Sequence, residues 1–244
     1  MQSPSEEQRH GTRGRSHALQ DYLGEFVYGG IDGSVTTFAV VAGASGAELS
    51  PSVIIILGFA NLFADGLSMS IGAYLSHQSE KDNYEKHRKI EHWEVEHLPE
   101  EERAEIRDIY RKMGFEGTLL EQVTNQITAN RNRWVDVMMK DELGMVEEPR
   151  SSLAIGGATF VSFIVVGLIP LLIYVYDYAS GTVSPRAFLI ASALTSLAFM
   201  VIGWMKATVT QTSRVRAVLE TLLLGGTAAT LAYWVGDVLE KLIN

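Results

Sequence analysis

Five stretches of this chain are almost free of charge. Phe26 to Ala47 holds one charged residue, Asp32, and Val53 to Leu75 holds one, Asp65. Leu153 to Tyr176, Ala187 to Met205 and Thr221 to Gly236 hold none. The fifth run is the shortest, but Val218, Leu219, Val238 and Leu239 extend it on both sides. A helix needs about 20 apolar residues to cross the hydrocarbon core of a bilayer. One such run also fits a buried helix of a soluble domain; five in 244 residues do not. With no sustained strand alternation anywhere, the runs predict an all-α, polytopic membrane protein with five transmembrane helices.

The charges missing from these runs are gathered elsewhere. Residues 80–150 hold 12 of the 20 Lys and Arg and 18 of the 29 Asp and Glu. The expected organisation is a polar tail over residues 1–20, two transmembrane helices over 21–79, a polar insert over 80–150, and three more spans over 151–244. The tail has no apolar core and is not a secretory signal; it leads into an interfacial turn near Leu19 to Phe26. Lys and Arg favour the cytoplasmic side. Arg9, Arg13 and Arg15 mark the tail, and the loop between spans one and two has no basic residue. The insert has twelve, and only Arg186 follows span three. Lys206, Arg214 and Arg216 lie between spans four and five, and Lys241 near the C-terminus. The tail and the insert therefore face the cytoplasm, and the C-terminus lies outside. The net charge of −9 argues against a nucleic-acid partner. The absence of cysteine excludes disulfides, zinc fingers, iron–sulfur clusters and a thiol nucleophile.

The insert reads as helices. Ser79 to Glu96 has no helix breaker, so span two continues into it as one long helix. Pro99 followed by Glu100, Glu101 and Glu102 is a helix start, with proline in the first turn and acids at the positive end of the dipole. Gly114 stops that helix. Thr118 to Thr128 and Asn132 to Leu143 form two more, closed by Gly144 and Pro149.

Two groups of residues carry possible chemistry. A carboxylate inside a membrane span costs several kcal/mol, so Asp32 and Asp65 need a partner, a pathway or a proton. Asn61, Asp65 and Met69 share one helix face at four-residue spacing. Oxygen donors beside a thioether suit a borderline first-row dication better than Mg²⁺ or Ca²⁺. Gly29, Gly33, Gly66 and Ser70 form small-residue faces on the first two spans, where a homodimer is expected to pack. In the insert, Glu91 and Glu94 share a face, as do Glu102 and Glu105. Met138, Met139 and Glu142 make a third cluster. Bundled helices would gather these into a carboxylate-rich metal site; the bland alternative is a solvated charged face. Glu94 and His97 make one Glu-x-x-His element, but a di-iron carboxylate site needs two. No phosphate loop, nucleophile elbow or triad is present, so nothing points to an enzyme.

The first span (GGIDGSVTTFAVVAGASG), the second (ANLFADGLSMSIGAYLSHQSE) and the insert sequence WVDVMMKDELGM resemble the vacuolar iron transporter family of ferrous-iron and manganese transporters. The likeness runs from about Asp21 onward. It implies a dimer of five-helix protomers with a cytoplasmic helical metal-binding domain inserted after the second helix. It implies proton-coupled movement of Fe²⁺, and often Mn²⁺, out of the cytoplasm, for detoxification or storage, along a path between the first and second helices. The family's first-span aspartate falls on Asp32 and its second-span methionine on Met69. A glutamate eight residues before that methionine in the plant-type pattern is Asn61 here, with Asp65 one turn on. The family's two E-x-x-E pairs match Glu91, Glu94, Glu102 and Glu105, and its Met-Met pair with a following glutamate matches Met138, Met139 and Glu142. No cofactor is implied beyond the divalent metal itself. The membrane would be the plasma membrane of a bacterium or the vacuolar membrane of a eukaryote. Two alternatives are a manganese-preferring exporter and a membrane-anchored metal sensor.

Overall fold

The structure is a computed structural model that describes residues 21–182 and 184–243. It contains no β-strand among them. In chain order the helices are α1 (Leu23–Gly46), α2 (Pro51–His97), α3 (Pro99–Lys112), α4 (Gly117–Thr128) and α5 (Arg131–Val137), with a π turn at Met138–Glu142. Then follow α6 (Ser152–Gly167), a 3-10 turn at Ile169–Leu171, α7 (Leu172–Ser180), α8 (Ala187–Thr210) and α9 (Arg214–Ile243). Five segments are long and apolar enough to cross a membrane: α1, α2, α6 with α7, α8 and α9. The chain folds as two compact units. One takes the chain up to Tyr74 and again from Arg150; the other is Leu75–Pro149.

In the first unit α1 is the central helix, packed on α6, α8 and α9. Lipid gives no hydrophobic drive for helices to associate, so close backbone approach must supply the attraction. Small residues permit it. A methyl group at Gly33 would lie 2.9 Å from the Phe163 Cα, and one at Gly29 2.7 Å from the Thr159 carbonyl oxygen. Gly46 and Gly236 make the same kind of approach between α1 and α9. On α2, Gly66 abuts the Phe163 ring, and the Ser70 hydroxyl donates to the Gly156 carbonyl at 2.8 Å. This corrects the sequence expectation for Gly29, Gly33 and Gly66, which are buried against α6 of the same chain; Ser70 bonds to α6 but stays half-buried. The physical reason is local: α6 offers its own small residues, Gly156, Ser162 and Gly167, to the same contacts.

Two further boundaries differ from the sequence reading. Helix α1 already begins at Leu23, so the part of the expected interfacial turn from Leu23 to Phe26 is helical; the polar tail, residues 1–20, lies outside the described residues. The third span is not one helix. Pro170 has no N–H for the Val166 carbonyl, and the chain tightens into the 3-10 turn before α7 resumes. Beyond these, Arg150 Nη1 donates to Glu25 Oε1 at 2.7 Å, fixing the start of α6 to the start of α1.

The second unit is built on an apolar core of Val95, Ile106, Ile127, Trp134, Val135, Met138 and Met139. Arg107 holds Glu121 through two bonds of 2.8 and 3.0 Å, which joins α3 to α4. Arg131 reaches the His92 carbonyl at 2.6 Å and Glu96 at 2.7 Å, which joins α5 to the charged half of α2. Gly114, at φ +97°, allows the sharp exit from α3.

Gly33→Ala should destabilise the protein by about 1–3 kcal/mol, since the added carbon has only backbone to displace. Gly157→Ala, with nothing within 4 Å of the new methyl, should be neutral or better. Thermal unfolding of the two variants in one detergent checks this pair.

Candidate functional site

The membrane-embedded candidates sit on strips that packing leaves half-open. Gly29, Gly30 and Gly33 of α1 are buried, whereas Tyr28 is exposed and Asp32 and Thr36 are half-buried. Asp32 therefore lies on a face of α1, next to the exposed Tyr28, that neighbouring helices cover only in part. Asn61, Asp65 and Met69 are likewise half-buried on α2. Asp65 of α2 is within electrostatic reach of Asp32 of α1. Neither pairs with a cation or a hydrogen-bond donor among the described residues. The Asn61 Nδ2 is buried and has no partner. Helix α6 sets the relative height of these strips: its Gly167 lies against both Leu62 of α2 and the Gly33 carbonyl of α1.

The second candidate group belongs to the charged unit. Glu91 and Glu94 lie on the polar half of α2. That half is outside the membrane-spanning segment, because 47 residues of helix extend about 70 Å, more than twice a bilayer core. Glu102 and Glu105 lie on α3, and Glu142 ends the π turn. Glu91 is only 4 % exposed and Glu102 only 5 %. One oxygen of each is buried without a partner. Burial, with Glu142, Glu94 and Glu105 close by, pushes the Glu91 carboxyl up to about 7. Burial, with Glu105, Glu91, Glu94 and Glu142, pushes Glu102 up to about 8. Glu105 and Glu142 are raised in the same way, burial first and neighbouring carboxylates second. All five predicted glutamates thus share one negative field.

Met138 and Met139 are fully buried in the apolar core beside this cluster. The turn that carries them is wider than an α-helix: Leu143 N donates to the Met138 carbonyl at 3.1 Å, and Met145 N to the Met139 carbonyl at 2.8 Å. π turns are rare and gather at functional sites. The residue pattern predicts an unbroken helix from Asn132 to Leu143 and carries no signal for this turn. Nor does it single out Trp134, whose Nε1 is buried without a partner in the same core. Its place one turn before Met138 was the available clue. Among the described residues, no three carboxylate or imidazole groups are already drawn together as a closed metal cage. The cluster is instead a set of mutually repelling carboxylates, two of which, Glu91 and Glu102, retain protons near neutral pH. Such a set can exchange protons for a cation.

Glu91 and Glu102 titrate higher in the fold than in the unfolded chain, so the fold holds the extra protons and its stability falls as pH rises. With chelator present, the unfolding midpoint should drop between roughly pH 5 and pH 8. Glu102→Gln should flatten that drop, and divalent metal should reverse it in the unmodified protein. Thermal melts across this range, with and without metal, are the measurement.

Comparison with known proteins bears on both groups. Residues 23–237 match the model of the VIT family. A vacuolar iron transporter of Toxoplasma gondii is 35 % identical, over 94 % of this chain and 78 % of its own length. One of Plasmodium falciparum is 33 % identical, over 95 % of this chain and 87 % of its own length. Vacuolar iron transporter 1 of Tulipa gesneriana is 32 % identical, over 91 % and 88 %. The match takes in all five apolar segments, both half-open strips and the glutamate cluster, and on that breadth the chain belongs to the VIT family, as a multi-pass membrane protein.

Proposed function

We propose that the protein carries a divalent metal ion, Fe²⁺ with Mn²⁺ as a second cargo, out of the cytoplasm in exchange for protons. The relatives' name brings iron into the reading. The observation that supports it in this chain is the pair Asp32 and Asp65, two carboxylates in reach of each other within membrane spans and lacking a cation among the described residues. Two such charges in a low dielectric repel strongly and are poorly solvated. The pair rests only when it holds protons or a cation. A site that accepts either is an exchanger: metal entry expels protons, and protonation expels metal.

Asn61 adds an amide oxygen and Met69 a thioether, which bias the donor set towards first-row dications. Asp65 takes the place of the glutamate that the family pattern puts at position 61. A homodimer would bring the strips Tyr28–Asp32–Thr36 and Asn61–Asp65–Met69 of each copy around one path. The unit Leu75–Pro149 serves as a cytoplasmic collector, where Glu91, Glu94, Glu102, Glu105 and Glu142 take up metal, Glu91 and Glu102 giving up protons to it, and Met138 and Met139 stand behind them. The tail shares its side of the membrane. That membrane is the plasma membrane in a bacterium and the vacuolar membrane in a eukaryote. A sensor that uses its spans only as an anchor would need apolar residues alone, not paired carboxylates.

Metal uptake into proteoliposomes under a pH gradient tests the reading. Asp32→Asn should keep the fold and abolish flux of Fe²⁺ and Mn²⁺. Asp65→Ala should lower flux by roughly tenfold or more, equivalent to about 1.4 kcal/mol of barrier. Adding Asn61→Glu should restore a good part. Normal flux in Asp32→Asn would overturn the assignment. Replacing Glu91, Glu94, Glu102 and Glu105 together by alanine should remove most metal bound at equilibrium, read by calorimetry on the full chain, yet leave slow transport.

A further inference from the structure

The connection Gln211–Ser213 joins α8 to α9, two helices that each cross the bilayer, so it lies at headgroup depth. The chain carries −9 overall, yet from Ala187 to Leu219 its only charged residues are Lys206, Arg214 and Arg216. Glu220 accepts from Lys206 Nζ at 3.0 Å and from Arg216 Nε at 2.8 Å, so one carboxylate is shared by two cations. Arg214 is held differently. Its guanidinium lies over the Trp204 ring, 5.5 Å from the centroid, and no carboxylate pairs with it among the described residues. Trp204 is 53 % exposed, in line with the exposed Met200 and Val201 on α8 and Val215, Leu219 and Leu223 on α9. It sits six residues before the end of α8, roughly 9 Å along the helix. That is the depth at which interfacial tryptophans settle.

We propose that this corner binds an anionic phospholipid, with the lipid phosphate on Arg214 and an acyl chain along the apolar surface around Trp204. Three cations against one anion leave the patch positive, and a headgroup with net negative charge complements it. A zwitterionic headgroup brings its own ammonium and gains less. Stacking uses the face of the guanidinium and leaves its N–H donors at the edge, where a phosphate can take two of them. The exposed apolar residues below supply the floor that a soluble anion would not need. The site is on the side of the membrane where basic residues collect, which is also the leaflet that carries anionic lipid.

The experiment uses the full-length protein carrying Trp234→Phe, so that Trp204 is the reporter within the spans. Its fluorescence is quenched by brominated phosphatidylglycerol or by brominated phosphatidylcholine in mixed micelles. Arg214 should give the anionic lipid an advantage of about fivefold. Arg214→Gln should bring the two lipids level without moving the unfolding midpoint, and Arg214→Lys should keep most of the preference. Excess inorganic phosphate should leave the quenching unchanged. Equal quenching by both lipids in the parent protein, an undiminished preference in Arg214→Gln, or displacement by phosphate would overturn the proposal.

Discussion

Backbone touching backbone is the interaction on which the membrane unit depends. Helix α1 meets the backbone of α6 at Gly33 and that of α9 at Gly46 and Gly236, and at Gly29 it meets the small Ser162 side chain together with the Thr159 backbone. In lipid this dispersion contact replaces the hydrophobic effect as the cause of association. It also decides what remains free. Once the glycine faces are used, a strip left half-open through this part of α1 runs through Tyr28, Asp32 and Thr36. The position of the carboxylate is thus a by-product of how its neighbours pack.

The charged unit handles the same problem in another way. Glu91 and Glu102 are buried without a partner for one oxygen each, a costly arrangement at neutral pH. The apolar core of Ile106, Trp134, Met138 and Met139 and the pairs Arg107–Glu121 and Arg131–Glu96 hold the helices in place despite the repulsion.

Much of the architecture was legible in the residues. Apolar runs of bilayer length gave the five spans, because that signal rests on composition alone. Pro99 and Gly114 gave the bounds of α3, since both act through their own backbone chemistry. The pairing of Glu91 and Glu94 with Glu102 and Glu105 was legible as two helix faces, and packing supplied their meeting. What was not legible depends on neighbours distant in sequence. The small faces of Gly29 and Gly66 look the same whether they await another chain or α6. The π turn at Met138 depends on how the core accepts two methionines. The break in the third span was available in Pro170, but the surrounding apolar run, long enough to span by itself, masked it.

That break has an electrical consequence. A continuous transmembrane helix keeps its peptide dipoles paired end to end and offers the hydrocarbon nothing but side chains. The third span instead tightens at Pro170 within its apolar run, where the Val166, Leu168 and Ile169 carbonyls take shorter 3-10 bonds and the proline supplies no N–H of its own. Lipid offers no donor to make good the one that is missing. Pro170 and Leu171 are accordingly buried, with α1 and α8 packed over the turn. One proline-tightened turn is thereby kept inside the bundle, against the helix that carries Asp32.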